Sequence, residues 1–370
     1  MTPGARTRIL IVDDSAVVRN LLRQVLAQDS TMEVAGTAAS GEAVSALVSR
    51  LRPDLLLLDV EMPRMGGLEA LRELRARGDR MPVVMCSSLT ERGAQVTMEA
   101  LAAGASDYVA KPSGQQNARS AVQTLAGELL PKIRALTAPR PRLVEPLPER
   151  WTAAEELQPC DAAEAPALVV IGVSTGGPHA LEIVLSALPR EFPVPLLVVQ
   201  HMPELFTGTL AQQLNERSLI PVREAAEGDL LRARTAYVAR GNWHMEVLPA
   251  ARAGLAASLH LTQAPPENHC RPSVDVTMRS ATAAFGAGVL AVQLTGMGSD
   301  GLEGCRAVRA RGGIVVAQDE ATSAVWGMPG AVVQAGLAQR VLPIQEIASF
   351  IVQLTSPAHR GWRVGKEAVS

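Results

Sequence analysis

Aromatic side chains make up only 3% of this 370-residue chain, whereas Ala, Val and Leu abound. Cores with so few large rings are aliphatic, which points to helices packed on sheets rather than to a sandwich. Cysteine is equally scarce. Cys86, Cys160, Cys270 and Cys305 are scattered without a C-x-x-C pair, so there is no zinc signature and a reducing compartment, the cytoplasm, is expected. Neither sign of charge dominates: 35 Lys and Arg against 37 Asp and Glu leave a net −2, which argues against nucleic acid as the main partner. No apolar run approaches a membrane span, and the start, Met-Thr-Pro-Gly-Ala-Arg, lacks the apolar core of a signal peptide. Direct membrane insertion is therefore not expected.

The length exceeds one ordinary domain, and the chain divides into residues 1–125, a linker at 126–165, a second domain at 166–356 and a tail at 357–370. Seven prolines from Pro131 to Pro166, with no sustained apolar period, read as an extended spacer, although Gly127–Leu136 can first continue a helix. Trp151 is the one large apolar residue of the spacer, either a docking contact or simply exposed.

In the first domain Arg8-Ile-Leu-Ile-Val12 ends in Asp13-Asp14, and Pro53-Asp-Leu-Leu-Leu-Leu58 ends in Asp59. Two further runs, Met81–Cys86 and Ala105–Ala110, end in Ser87-Ser88 and Lys111-Pro112. Helical patterns at Ser15–Gln28, Ser40–Ser49, Leu68–Arg77 and Ala94–Ala103 separate them, which predicts βα alternation and a parallel sheet. Ligands bind at the carboxyl edge of such a sheet. Asp13, Asp14 and Asp59 converging there make a hard-oxygen site suited to Mg²⁺ and phosphoryl chemistry, completed by a hydroxyl and an ammonium.

The second domain is organised around Val169-Val-Ile-Gly-Val-Ser-Thr-Gly-Gly-Pro178. Gly172-Val-Ser174-Thr-Gly176 fits a strand-to-helix elbow that lifts a serine hydroxyl above a sheet, with the orphan N–H groups of the next helix close by. Val194–Gln200 is a strand ending in His201, and Gly288–Leu294 one ending in a glycine-rich turn with Asp300. Thr235–Ala239 and Gly313–Ala317 are further strands. Three strand ends thus deliver a nucleophile, a base and an orienting acid. The order Ser, His, Asp differs from the Ser, Asp, His of an α/β-hydrolase, so that fold does not follow. A dinucleotide fold needs an acid where His201 stands, and a DNA-binding output needs a basic face. Cys270 and Cys305 have no base in prospect and read as inert thiols, and His244 and His269 as solvated or hydrogen-bonded loop residues.

Asp13, Asp14, Asp59, Ser87 and Lys111 together resemble the receiver domain of two-component response regulators. The resemblance implies a flavodoxin-like fold, phosphorylation of Asp59 by a sensor histidine kinase, and Mg²⁺ held by Asp14, Asp59 and the Glu61 carbonyl, next to Asp13. It further implies Lys111 on the phosphoryl group, Ser87 as the switch hydroxyl with Ser88 the alternative, Tyr108 as an aromatic that turns inward, and a cis Lys111–Pro112 bond. Ile-Gly-Val-Ser174-Thr-Gly-Gly-Pro, Gln200-His201-Met-Pro, Arg271-Pro-Ser-Val-Asp-Val276, Leu294-Thr-Gly-Met-Gly-Ser-Asp300-Gly and Ala317-Gln-Asp-Glu-Ala-Thr322 closely resemble the catalytic domain of the CheB methylesterases. That resemblance implies Ser174 as nucleophile, His201 as base, Asp300 as orienting acid, and the Met297 N–H with Thr175 at the oxyanion. It further implies, as substrates, glutamate methyl esters, and glutamines, on the helical cytoplasmic region of chemoreceptors, with no cofactor expected for the esterase. Two doubly wound α/β domains, the second Rossmann-like, follow. A response regulator of a non-chemotaxis chemosensory array, whose second domain binds or modifies another receptor, is the alternative. Arg240 stands where the family usually has proline, and Ser299 where asparagine is common.

Overall fold

The computed structural model describes residues 6–88, 90–112, 118–138, 165–250, 252 and 256–356. Trp151, the central part of the expected linker and the 357–370 tail lie outside the described residues. The chain forms two compact units dividing after Arg142.

In the N-terminal unit β1 (Thr7–Val12), β2 (Met32–Ala38), β3 (Leu55–Asp59), β4 (Val83–Ser87) and β5 (Asp107–Ala110) form one parallel sheet in the order β2-β1-β3-β4-β5. β3 and β4 are buried along their whole length, so each reads as an unbroken apolar run rather than an alternation. Met32–Ala38 escapes sequence reading because it is an edge strand with only Met32 buried. The helices are α1 (Ala16–Leu26), α2 (Val44–Leu51), α3 (Gly67–Ala76), α4 (Glu91–Ala102) and α5 (Ala118–Thr137). Ser15 caps α1 by accepting from Val18 N, and Thr90 caps α4 by accepting from Gly93 N, which stops each strand-end loop at a defined residue. α5 runs through Pro131 to Thr137, so residues 126–137 are helix rather than spacer. Leu125, Leu129 and Ile133 recur every four residues and bury against Leu22, Val25 and Leu26 of α1, and this face outweighs the interruption by proline. The Lys111–Pro112 bond, expected to be cis, is not; Arg271–Pro272 is the cis bond among the described residues.

The C-terminal unit carries a seven-stranded parallel sheet. Its strands are β6 (Leu168–Val173), β7 (Leu196–Gln200), β8 (Val222–Glu224), β9 (Ala236–Val238), β12 (Val289–Gln293), β13 (Ile314–Gln318) and β14 (Arg340–Leu342), in the order β14-β13-β12-β6-β7-β9-β8. β10 (His244–Leu248) and β11 (Ser258–Thr262) form a separate antiparallel hairpin. The helices are α6 (Gly177–Ser186), α7 (Glu204–Arg217), α8 (Val274–Phe285), α9 (Leu302–Ala310), α10 (Met328–Gln334) and α11 (Ile344–Thr355). The chain leaves β6 towards β7, then returns to β12 on the other side. The direction of winding reverses between β6 and β12, the position at whose carboxyl edge such sheets bind ligands. No helix among the described residues is long and apolar enough to cross a membrane.

Candidate active site and acidic pocket

β6 ends at Val173, and register pairs Val173 with Gln200 and Gly172 with Gln293, so Ser174, His201 and the turn after β12 leave the sheet at one level. Ser174 N donates to Thr295 O (3.0 Å), and His201 N donates to Val173 O (3.2 Å). The elbow depends on its glycines. Gly176 has φ +78°, a conformation that strains other residues, and a Cβ on Gly177 would lie 1.9 Å from Gln200 Oε1. Pro178 occupies the first turn of α6, as its missing donor allows. Gln200, passed over in the sequence, ties the two strand ends together: its Nε2 donates to Ser174 O (3.0 Å) and His201 O (3.1 Å).

Asp300 is 3% exposed, and five donors surround its carboxylate. His201 Nε2 and Val274 N reach Oδ2, both at 2.7 Å. Ser273 Oγ (2.8 Å), Asn268 Nδ2 (2.9 Å) and Asp275 N (3.3 Å) reach Oδ1. Val274 and Asp275 open α8, so the carboxylate also sits at a helix N-terminus. Burial alone would push Asp300 up, but His201 and these donors hold it well below the usual carboxylate range. Burial would likewise push His201 down, yet its hydrogen bond to Asp300, and then Cys270, raise it to about 9. Asp275 is pushed up to about 6 by burial and by the nearby Asp300 charge.

The imidazole therefore shows Nε2 to Asp300 and keeps Nδ1 for its other neighbour. That neighbour is Cys270 Sγ, at 3.6 Å. Among the described residues no hydrogen bond joins Ser174 Oγ to His201. Cys270 thus has a base beside it, contrary to the sequence reading, because the turn at Asn268-His269 sets it against a residue 69 positions earlier in the chain. Cys305 is fully buried, as expected of an inert thiol. His244 is buried, with Nδ1 accepting from Ser273 N and Nε2 3.1 Å from Pro265 O; His269 is exposed.

Met297 is 36% exposed in the turn after β12. A Cβ on Gly296 would lie 2.8 Å from Ser174 Cβ, which puts this turn directly against the serine. Thr175 is buried, and its carbonyl accepts from Thr295 Oγ1 (2.9 Å). Arg240 pairs with Glu204 and lies 5.8 Å over the Trp243 ring, while Ser299 is exposed.

In the N-terminal unit the carboxylates of Asp13, Asp14 and Asp59 come within 4.8 Å of one another at the ends of β1 and β3. Lys111 Nζ lies 2.8 Å from Asp13 Oδ2 and 2.7 Å from Asp59 Oδ1. Glu61 N donates to Asp59 Oδ1 (3.2 Å), which brings that backbone to the pocket. Burial raises Asp59 to about 6, with Asp13 adding to the rise and Lys111 opposing it. Lys111 would be pushed down by burial, but its bonds to Asp13 and Asp59 raise it. Asp59 Oδ2 is buried without a hydrogen-bond partner. Hard oxygen donors with one buried lone-pair site unused fit a divalent cation such as Mg²⁺. Ser87 Oγ is turned towards α4, 3.2 Å from Gly93 O and 2.7 Å from Thr97 Oγ1, whereas Ser88 Oγ reaches Glu61 Oε2 at 3.2 Å. Tyr108, expected to turn inward, is already 5% exposed, with the Lys132 ammonium 5.1 Å from its ring centre.

Residues 169–351 match the model of the CheB methylesterase family, and residues 9–123 that of the response regulator receiver domain. A protein-glutamate methylesterase/protein-glutamine glutaminase of Nocardioides sp. is 49% identical over 357 residues, 95% of each chain. One of Trichodesmium erythraeum is 41% identical over 94% of this chain and 98% of its own. The Thermotoga maritima CheB methylesterase catalytic domain is 39% identical, with TM-score 0.49, over 51% of this chain and 98% of that one.

Proposed function

This chain belongs to the receiver-linked CheB methylesterase family, and on that premise we propose that it hydrolyses glutamate γ-methyl esters, and deamidates glutamines, on the helical cytoplasmic region of chemoreceptors in chemotaxis adaptation. The observation that carries the reading is the Asp300–His201 hydrogen bond of 2.7 Å beside the Ser174 elbow. Ser174 Oγ attacks the γ-carbonyl as its proton passes to His201 Nδ1, the nitrogen that Asp300 leaves available. The Met297 N–H, in the turn against Ser174, donates to the oxyanion, with Thr175 beside it. His201 then protonates the leaving methanol or ammonia, and water, deprotonated by His201, releases glutamate and restores Ser174. Asp300 stays ionised throughout, because its donors remain in place.

Phosphorylation of Asp59 by a sensor histidine kinase raises the rate of the full chain. Asp13, Asp14, Asp59 and the Glu61 backbone would hold Mg²⁺, which when bound neutralises the charge around the phosphoryl group. Lys111 gives up its carboxylate contacts for the phosphoryl oxygens, and Ser87 leaves Gly93 O and Thr97 to join it. Tyr108 is already buried, so its inward turn adds little to the switch.

Methanol release from a methylated receptor fragment tests this. Release is expected from the full chain, rising with Mg²⁺ and a small phosphodonor, absent in Ser174→Ala and unresponsive to phosphodonor in Asp59→Asn. Release that persisted in Ser174→Ala would remove the serine mechanism.

A further inference from the structure

Cys270 is built into the active site rather than left beside it. Glu267 N donates to Cys270 O (3.1 Å) and Cys270 N to Glu267 O (2.8 Å), closing a two-residue turn whose central residues, Asn268 and His269, have φ of +52° and +63°. Both central residues with positive φ define the tightest such turn, and asparagine tolerates that conformation better than most. Glu267 is held by a bidentate Arg279 pair at 2.6 Å and 2.6 Å, and Asn268 by Asp275 (2.8 Å) and Asp300 (2.9 Å). The thiol therefore has a fixed position, 3.6 Å from His201 Nδ1, and it is only partly buried. On its far side His201 bonds Asp300. Sulfur, imidazole and carboxylate follow one another through hydrogen bonds, with Asn268 O, 3.4 Å from Sγ, as the thiol's other neighbour; a base so placed can take a proton from a nucleophile. The same nitrogen is the one Ser174 needs, so whatever occupies Cys270 occupies the base.

We propose that Cys270 is a modification site for low-molecular-weight disulfides, and that its mixed disulfide closes the hydrolase. The second half rests on the reading of His201 as the base for Ser174. In the exchange Cys270 Sγ attacks one sulfur of R–S–S–R, a new S–S bond forms as the old one breaks, and the departing half leaves as thiolate. The Cys270 proton passes to His201 Nδ1 and then to that thiolate, giving RSH. Cys270 is oxidised to the disulfide level and the departing sulfur reduced, so the balance needs nothing beyond the disulfide and is reversed by excess thiol. The group R then stands against Nδ1 and blocks proton transfer from Ser174.

The experiment uses the full chain carrying Cys160→Ser, since Cys160 lies outside the described residues, with an aromatic disulfide as the probe at about pH 9, where a large share of His201 is free to take the proton. Peptide mass mapping reads labelling, and methanol release from methylated receptor reads activity before and after. One label on Cys270 is expected, with Cys86 and Cys305, at 2% and 0% exposure, unlabelled. Activity falls in step with labelling, returns with dithiothreitol, and in Cys270→Ala, measured against its own untreated rate, does not fall. His201→Asn and His201→Gln, checked for native folding by thermal melts, label on the order of tenfold more slowly, as a thiol does when its base is removed. Labelling of Cys270 no faster than that of Cys86 or Cys305, or unchanged in both His201 variants, overturns the site. Full labelling with activity retained overturns the closure. A chain inactive before treatment refutes the hydrolase reading instead, and the mass map still decides the site.

Discussion

Asp59 and Asp300 are both buried aspartates at the carboxyl edge of a parallel sheet, and their surroundings push them in opposite directions. Asp59 is raised to about 6 by burial, with Asp13 beside it and an oxygen that no donor reaches. Asp300 is equally buried, but backbone N–H groups at a helix start, two neutral side chains and His201 hold it low. Burial alone therefore does not set the charge of a carboxylate; the count and kind of donors decide it. A carboxylate surrounded by donors is committed to orienting its neighbour. One with acidic neighbours and an unused oxygen is suited to taking a cation or a phosphoryl group.

The harshest test of that contrast is to exchange the charge of each aspartate for an amide. Asp300→Asn keeps the shape but leaves an amide N–H or a weaker acceptor facing His201 Nε2, and turnover is expected to fall on the order of 10⁴-fold, as in other triads. Ser174→Ala and His201→Ala should cost as much, without adding to one another, because the three act as a unit. If Asp300→Asn kept most of the activity, Asp275, bonded to the same Asn268, would become the candidate acid.

A smaller loss is expected from stripping single donors off Asp300. Ser273→Ala and Asn268→Ala each remove one bond to Oδ1 while leaving the α8 N–H groups in place, and about tenfold loss in turnover is expected from the misplaced imidazole. Steady-state kinetics should show the loss in kcat rather than KM. A change confined to KM would mean that these residues touch substrate instead.

The acids at strand ends were legible in the sequence because a parallel strand announces itself as a short apolar run and the next residue falls at the ligand edge. Asp13, Asp59, Ser174 and His201 were placed at that edge in this way, and Asp300 as the acid of the glycine-rich turn after β12. Gln200, Asn268, Ser273 and the pairing of Cys270 with His201 were not, since each acts through contacts 26 to 69 residues away that no local period encodes. Their only signal was position: Gln200 precedes His201, and Ser273 lies within the Arg271–Val276 motif. The second half of α5 was legible as a helix continuing through Gly127–Leu136, but the prolines drew the linker boundary ahead of it, at residue 126. The β10–β11 hairpin escaped because its strands are short and one face is polar.

His201 supplies a test that runs on pH rather than on mutation. Its folded value of about 9 lies above the ordinary 6.5, so the resting imidazole is protonated at neutral pH and the fraction able to act as base grows as pH rises. kcat/KM for the free enzyme is expected to climb up to about pH 9, whereas a plateau from pH 7 would show the base to be neutral already. The linked stability has the opposite slope. A raised histidine contributes most below 6.5, and that contribution is lost as pH rises through about 9.

The smallest expected effect separates the two aspartates by stability. Asp59 is raised from 3.8 to about 6, so between those values the folded state keeps a proton that the unfolded chain has released. Stability of the N-terminal unit therefore falls as pH rises through that window. Asp59→Asn removes the ionised form, and Lys111 keeps Asp13 as a partner at 2.8 Å. A gain of roughly 1 to 2 kcal/mol is expected at pH 7, allowing for solvent screening, and none near pH 4. No tryptophan lies in this unit, so amide hydrogen exchange in β3 and β4 of the full chain is the suitable measurement. Mg²⁺ should slow that exchange in the unsubstituted chain more than in Asp59→Asn, because a ligand stabilises only the state that binds it. Asp300→Asn, by contrast, is expected to destabilise the C-terminal unit at pH 7, since it takes a well-donated charge out of a site built around it. Loss of stability in both variants would mean that Asp59, too, is satisfied as an anion, and the contrast between the two pockets would not survive.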